Sequence, residues 1–232
     1  MKSSYQRFSL GQRLEHVGVM TLFTLLSVTG LPQKFFEAGW ARAVIRLFGG
    51  IESTRIVHRG AALLFSILVA IHLGRLVIAT LRRTVPLSMV PTRRDFTDTL
   101  GTLRYYVGLA PRHPPYERFD YKQKFEYWGL VMGSLIMIAS GFLLFFPTFF
   151  TRLLPGVLIP AAKVAHSNEG LMAVLVVTVW HIYSAHFNPD VFPFDRTIFN
   201  GRISRERMEK EHSLELERIE AAAGARGEAA DS

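Results

Sequence analysis

Residues 56–81, IVHRGAALLFSILVAIHLGRLVIATL, decide the fold of this chain. The stretch is apolar over more than the roughly 20 residues that cross the hydrocarbon core of a bilayer. It nevertheless carries two histidines, His58 and His72. Ionisable residues are costly inside a bilayer and mark functional sites there. The stretch therefore predicts a membrane-spanning helix that carries a functional site.

Three further apolar stretches have a similar length, and together with the first they predict an all-α, integral membrane four-helix bundle. They cover residues 16–32, 127–147 and 162–187. Residues 93–109, in the loop between the second and third stretches, have the pattern of a short amphipathic helix at the membrane surface. We expect one membrane domain, residues 1–200, followed by a charged cytoplasmic tail, residues 201–232, with a disordered end.

The positive charges alternate between the segments that join these stretches. The chain has 232 residues, a net charge of +8 and 27 Lys and Arg residues. Nineteen of these residues lie before the first stretch, in the 82–126 loop or after the fourth stretch. The positive-inside rule places both termini and this loop in the cytoplasm of a bacterial cell, with the helices in its inner membrane. The basic residues form no patch interleaved with aromatics, so nucleic acid is not expected as a partner.

Histidines recur at helical spacing in the second and fourth stretches. His58 and His72 are fourteen residues apart, about 21 Å along a helix and about 40° out of register. His166 and His181 are fifteen apart, about 22 Å and about 60°. Because both helices run inward, His58 and His166 share the outer depth. Four histidines share the inner depth: His16, His72, His181 and His186. His113 and His212 lie in polar segments and are expected at the solvated surface.

Histidine pairs at two depths are typical of axial ligands to haem iron. Ligation by two histidines leaves no open position on the iron, which suits electron transfer. The chain has no cysteine, so a haem would be bound non-covalently, as haem b. Arg13, Arg59 and Arg75 are candidate partners for haem propionates, although each could equally extend to the lipid headgroups. The alternatives are packing histidines, a zinc site, or a histidine-lined metal or proton transporter without haem.

Several short motifs resemble the cytochrome b subunits of membrane oxidoreductases, of the formate dehydrogenase gamma-subunit type. The resemblance covers about residues 7–210. Its marks begin with Arg13-x-x-His16, the apolar run to Thr29-Gly30, and Ile56-Val57-His58-Arg59. They continue with Gln123-Lys124-x-x-Tyr127-Trp128, His166-x-x-x-Gly170 and His181-x-Tyr183. The second stretch also resembles the two-histidine helix of the cytochrome b in quinol–cytochrome c oxidoreductases.

The resemblance implies two b haems, with His58 and His166 on the outer one and His16 and His181 on the inner one. The chain departs from the family pattern, because that pattern spaces the last two ligands fourteen apart and has no counterpart to His72. Two alternatives therefore stay open at the inner level. His72 would replace His16 opposite His181, or a third haem would use His16 and His186.

The resemblance also implies a relay of electrons between a partner redox subunit and the quinone pool. The partner would be a periplasmic or membrane subunit, either an iron–sulfur protein or a multihaem cytochrome c. Asp120, Gln123 and Lys124 supply polar groups for a quinone site at the entry to the third stretch, near the inner haem. The alternative is a solvated loop there. The alternative function is a transmembrane haem reductase for a terminal substrate, of the ferric or ascorbate type.

Overall fold

The computed structural model describes residues 4–84, 86–189 and 191–228, and nearly all regular structure in that range is helical. The helices are α1 (Leu10–Lys34), α2 (Gly39–Leu47), α3 (Ile51–Leu81), α4 (Arg93–Tyr106), α5 (Tyr121–Phe145), α6 (Pro147–Phe150), α7 (Leu158–Leu175), α8 (Thr197–Asn200), α9 (Arg205–Glu211) and α10 (Ser213–Glu228). Two π-helical segments, Val176–His181 and Tyr183–Phe187, and two short strands, β1 (Ser4–Gln6) and β2 (Arg202–Ser204), complete the secondary structure of the described part.

Four helices are long and apolar enough to cross a membrane, which confirms the predicted all-α architecture. They are α1, α3, α5 and the continuous helical segment Leu158–Phe187 that begins with α7. Each begins four to six residues before the predicted apolar stretch. Hydropathy locates the part of a helix that contacts lipid, whereas backbone hydrogen bonds continue into the polar residues on either side.

The segment after α7 is wound as a π-helix. Two π segments, Val176–His181 and Tyr183–Phe187, follow α7 without a break. The backbone N–H of Ile182 donates to the carbonyl of Val177, five residues earlier, as in a π turn. Such a turn holds one residue more than an α turn. The π segment at Val176–His181 thus accommodates the extra residue in the fifteen-residue spacing between His166 and His181.

The described chain divides into two compact units. The first contains residues 10–82 and 129–195. Within it α1 packs most extensively on α3 and also contacts α2 and the α7 segment. α5 approaches α7 closely at Gly133 and Gly141, where Glu169 and His166 lie against its backbone. This unit holds all six histidines of the apolar stretches.

The second unit combines residues 4–9, 83–84, 86–128 and 196–228 of the described chain. β1 pairs antiparallel with β2, and Ser4 lies opposite Ser204. The buried guanidinium of Arg7 donates to Glu215 at 2.6 Å. Arg118 donates to the other carboxylate oxygen of Glu215 at 2.7 Å. The segment predicted as a separate tail therefore packs, as far as Glu220, with the N-terminus and the central loop. The predicted disorder at 229–232 lies outside the described residues.

His212 is buried, contrary to the expectation of a solvated histidine. Its Nδ1 lies 3.0 Å from the carbonyl oxygen of Glu117, and only 4% of the residue is exposed. Burial, together with the nearby Arg7, lowers the pKa of His212 to about 3. His113 is exposed, as expected, and its ring lies 4.1 Å from that of Tyr105.

Helix α4 has its polar side turned toward the protein and its apolar side exposed. Thr102 is buried, and its hydroxyl lies 2.7 Å from the Tyr116 hydroxyl. Phe96, Leu100 and Leu103, at intervals of four and three residues, are exposed. An apolar stripe with this spacing fits the predicted helix at a membrane surface.

Candidate haem-ligand sites in the helical bundle

His58 on α3 and His166 on α7 face each other and form what we call the outer pair. Their ring centroids are 6.3 Å apart. Metal–imidazole bonds are about 2.0 Å long. Adding about 1.1 Å from nitrogen to ring centre on each side, two imidazoles on opposite sides of one metal have centroids about 6.2 Å apart. The outer pair therefore has the separation of two axial ligands to a single iron.

A hydroxyl group orients each histidine of the outer pair. His58 Nδ1 lies 2.9 Å from Thr29 Oγ1, and His166 Nδ1 lies 3.0 Å from Ser140 Oγ. Thr29 donates its own proton to the carbonyl of Leu25 at 2.7 Å, and Ser140 donates to that of Ile136 at 2.6 Å. Each hydroxyl oxygen is thus left to accept from the imidazole Nδ1–H.

The hydroxyl bonds fix the tautomer of both rings in the outer pair. With the proton on Nδ1, the lone pair of Nε2 is available to a metal. Metal-bound histidines commonly donate the other ring N–H in this way, which fixes the ring orientation and raises the basicity of the ligand. The two rings are thereby prepared to bind one metal through Nε2.

A glycine follows each of these hydroxyl residues and leaves room for the imidazole ring. A Cβ added to Gly30 would lie 3.0 Å from His58 Cε1. A Cβ added to Gly141 would lie 3.3 Å from His166 Cε1. The same local arrangement therefore occurs twice, at Thr29-Gly30 on α1 and at Ser140-Gly141 on α5. In each, the hydroxyl group bonds to the imidazole ring and the glycine leaves space for it. The recurrence of a hydroxyl residue followed by glycine, in two predicted helices, was the sequence pattern that could have identified these four residues.

His16 on α1 and His181 at the end of the first π segment form the inner pair. Their ring centroids are 6.2 Å apart, nearly the value of the outer pair. His16 Nδ1 is buried and has no hydrogen-bond partner among the described residues. A buried polar atom in that state is costly, and a ligand is one way to satisfy it. The inner pair also has the separation expected for two axial ligands.

His72 lies against a carboxylate. Its Nδ1 is 3.0 Å from Glu15 Oε2, and the other Glu15 oxygen accepts a hydrogen bond from Arg75. Glu15 thus bonds two α3 side chains, one turn of α3 apart, and is adjacent to His16 in the chain. Of the two candidates for the position opposite His181, His16 is the one whose ring lies 6.2 Å from the ring of His181. The spacing of residues along the chain could not predict the contact between Glu15 and His72, because the two residues lie on different helices, 57 positions apart.

His186 contacts the segment that follows the helix. Its ring stacks on Phe194, with centroids 4.2 Å apart and planes within 3°. Its Nδ1 lies 3.3 Å from the backbone N–H of Asp195, which donates to it. The third-haem alternative needs His16 and His186 as a pair, whereas the ring contact of His16 in the structure is with His181.

The three arginines considered for haem propionates occupy different surroundings. Arg59 lies beside His58 in the chain, with its guanidinium 5.1 Å from the centre of the Phe145 ring. Arg75 is bound to Glu15. Arg13 is half-buried on α1, one turn before His16. Arg59 therefore lies at the outer pair, and Arg13 lies nearest in sequence to the inner pair.

The candidates for a quinone site also stabilise the start of α5. The backbone N–H of Asp120 donates to Gln123 Oε1 at 3.2 Å, and that of Gln123 donates to Asp120 Oδ1 at 2.8 Å. This reciprocal arrangement is a capping box. Lys124 is buried and donates to both carboxylate oxygens of Asp95, at 2.7 and 2.9 Å. Burial raises the pKa of Asp120, which favours its protonated form.

Neither pair has the surroundings of a multi-ligand metal centre. Within residues 4–84, 86–189 and 191–228, no three His, Cys, Asp or Glu side chains cluster closely enough to hold a metal ion. Zinc sites use at least three protein ligands. Haem iron takes only its axial ligands from the protein, because the porphyrin supplies the other four nitrogens. Two histidines at each level therefore fit haem better than a zinc site.

Comparisons with known proteins add no identification. No protein-family model matches this chain, and none of the curated proteins matches it.

Proposed function

We propose that this protein is a membrane cytochrome b subunit that relays electrons through two b haems. One haem is bound by His58 and His166, and the other by His16 and His181. The observation that carries the proposal is the ring separation of 6.3 and 6.2 Å in the two pairs. Both pairs independently have the distance that two imidazoles take on opposite sides of one iron.

The protein's own groups would bind and orient the haems. Thr29 and Ser140 lie against Nδ1 of the outer imidazoles, which would leave Nε2 of each ring for the iron. Many large apolar side chains of the long helices are exposed, and in a bilayer they would contact lipid and keep water from both levels. The haem supplies a one-electron iron couple. With two histidines holding each haem, the site would leave no position on the iron for a substrate and would serve electron transfer.

The two haems would connect the two sides of the membrane. The fifteen residues between His166 and His181 correspond to about 22 Å at α-helical rise, most of a hydrocarbon core of about 30 Å. The positive-inside bias supports cytoplasmic termini and an inner-membrane location in a bacterium. On that topology a periplasmic iron–sulfur or multihaem subunit exchanges electrons with the outer haem, and the quinone pool exchanges electrons with the inner one.

Counting haem in purified protein tests the proposal. We expect two haems per chain and reduced-minus-oxidised spectra of the b type, with pyridine haemochrome used for quantification. His58→Ala and His166→Ala should each remove one haem, and so should His16→Ala. His72→Ala serves as the matched control and should leave two. Wild-type protein without haem would refute the proposal. One haem in His72→Ala and two in His16→Ala would reverse the inner assignment.

A quinol-oxidation assay with an added electron acceptor tests the quinone half of the proposal. Lys124→Ala leaves the half-buried Asp95 carboxylate on α4 without its ion pair, and this loss alone weakens the contact between α4 and the start of α5. The Lys124→Ala, Asp95→Asn double variant removes that unpaired charge. Quinol oxidation that stays low in the double variant, with both haems present, supports a role of Lys124 at the quinone. Oxidation that recovers fully shows that Lys124 acts through the ion pair alone.

A further inference from the structure

Four large apolar side chains along α4 form an exposed stripe, which we call the α4 stripe. Phe96, Leu100, Leu103 and Val107, which directly follows the helix, are between 44% and 68% exposed. At about 100° per residue, the four positions fall within about 60° of one another, on one side of the helix. A contiguous exposed apolar patch commonly marks an interaction surface. The α4 stripe is therefore expected to contact an apolar partner rather than water.

The two acidic residues of α4 lie away from the stripe, and both are paired. Asp95 accepts hydrogen bonds from Lys124 of α5 at 2.7 and 2.9 Å, and Asp98 lies 3.5 Å from Arg94. The side chain of each aspartate is only 15% exposed. The negative charges of the helix are therefore compensated on its protein side, and none borders the α4 stripe.

Two arginines lie along one edge of the α4 stripe. Arg93 and Arg104 are about 60° and about 80° around the helix from Phe96, in the same direction, and about 16 Å apart along its axis. Both arginines are exposed, and neither guanidinium has an ion-pair or hydrogen-bond partner among the residues that the structure describes. The helix thus combines an apolar stripe with a positively charged edge.

Contacts with α5 hold α4 near the level at which α5 would enter the membrane. Lys124, which bonds to Asp95, lies in the polar first turn of α5, four residues before Trp128. The Trp128 ring N–H donates at 2.9 Å to the carbonyl of Met89, in the segment that leads into α4. Tryptophan is enriched at the headgroup level of bilayers, and the apolar part of α5 begins directly after Trp128. Both contacts therefore bring α4 next to the expected headgroup region.

We propose that α4 is a binding site for anionic phospholipid, with the α4 stripe among the acyl chains and Arg93 and Arg104 at the headgroup phosphates. An amphipathic helix with basic residues beside its apolar face has the chemistry of a helix that lies in the membrane interface. Each basic residue close to an anionic membrane surface changes the binding equilibrium about fivefold. The two arginines together would favour anionic over zwitterionic lipid by roughly 25-fold at most. This lipid site does not depend on the proposed electron relay.

Fluorescence quenching in nanodiscs tests the site, and the absence of cysteine from the sequence permits a single label. The full chain with Leu100→Cys, labelled with a fluorophore, is placed in a mixture of phosphatidylcholine and phosphatidylglycerol. An acyl-chain spin label is carried by one lipid or the other, at equal mole fraction. We expect both lipids to quench, with phosphatidylglycerol about fivefold or more the stronger. Tyr105→Cys, on the opposite side of α4, is the matched control and should be quenched weakly by both.

Charge variants of the labelled protein test the two arginines. Arg93→Gln with Arg104→Gln should bring the quenching by the two lipids close to equality, whereas quenching by phosphatidylcholine persists. Arg42→Gln with Arg46→Gln removes the same charge from exposed positions of α2 and should leave the preference unchanged.

Three outcomes would overturn the lipid site. Equal quenching by both lipids before the arginines are changed, or an unchanged preference in the α4 double variant, would exclude binding of the headgroups by these arginines. No quenching of the Leu100→Cys label by either lipid would exclude lipid as the occupant, and a dimer in the nanodisc would then identify a second copy of the chain. The haem count stays the separate test of the electron relay.

Discussion

The spacing between His166 and His181 should tolerate fourteen or fifteen residues but neither thirteen nor sixteen. Deletion of Val177 shortens the spacing to fourteen and lets the π segment at Val176–His181 rewind as an α-helix. In a continuous α-helix, fourteen residues leave the two histidines about 40° out of register, still on one face. We expect this variant to keep both haems.

A spacing of thirteen or sixteen residues between His166 and His181 cannot be accommodated by the π segment. Deletion of both Val176 and Val177, or insertion of an alanine after Val177, rotates His181 by about 100° relative to the tolerated positions. At a side-chain radius of about 5 Å, that rotation moves the imidazole by roughly 8 Å. The inner haem would then lose one axial ligand.

Haem content in detergent provides the assay, and the outer haem provides the internal control. We expect a haem-to-protein ratio of two in the wild type and in the single deletion. The double deletion and the insertion should give one, with an unchanged elution volume on size-exclusion chromatography. A ratio of one in the single deletion, or of two in the insertion, would show that the π segment does not set the position of His181.

Three further predictions concern the outer pair and the second unit. Gly30→Ala places a Cβ 3.0 Å from the His58 ring, so it should reduce outer-haem occupancy more than Gly141→Ala, where the distance is 3.3 Å. Thr29→Val removes the acceptor for the His58 Nδ1–H, and it should weaken haem retention 10- to 100-fold, measured as transfer to apomyoglobin. Acidification from pH 8 to pH 5 should destabilise the second unit by about 2 kcal/mol through His212, measured by urea unfolding.

The controls and contradicting outcomes are specific to each prediction. Gly39→Ala, where a Cβ meets no atom within 4 Å, should leave haem occupancy unchanged. Thr29→Ser should retain haem, and equal loss from Thr29→Ser and Thr29→Val would contradict the hydrogen-bond role. The pKa of His212 is lowered to about 3 in the folded state, so the unfolded chain binds the extra proton below about pH 6.5 and stability falls there. His212→Asn should flatten this slope, and an equally steep slope in that variant would point to other groups.

Local patterns in the sequence were sufficient to predict the four helices and to place His58 and His166 at one depth. Both inferences depend on regular helical periodicity, which a single chain displays directly. Which histidine lies against His181 was not accessible in this way. The position of His16 beside His181 depends on the contact of Glu15 with His72 and on a π segment that no residue pattern marks.

The second unit was also beyond prediction from sequence patterns. Its buried contacts join residues far apart in the chain, and Tyr5, for example, bonds to Glu220. The sequence of the charged C-terminal helices does not indicate which distant residues they will pack against. His212 shows the same limit, because its surroundings come from Arg7 and Glu117 rather than from its neighbours in sequence.

The ion pair of Arg7 and Glu215 has a consequence for how the protein is made. The two residues are separated by 208 positions, so the ribosome synthesises all of these positions before the guanidinium can meet its carboxylate. Until then the first and last segments cannot fold together, even after all four long helices have left the ribosome. A chain that stops before Glu215 lacks this carboxylate, and its Arg7 guanidinium keeps the hydrogen bond to the carbonyl of Arg118. The contact that closes the second unit is therefore a late event in synthesis.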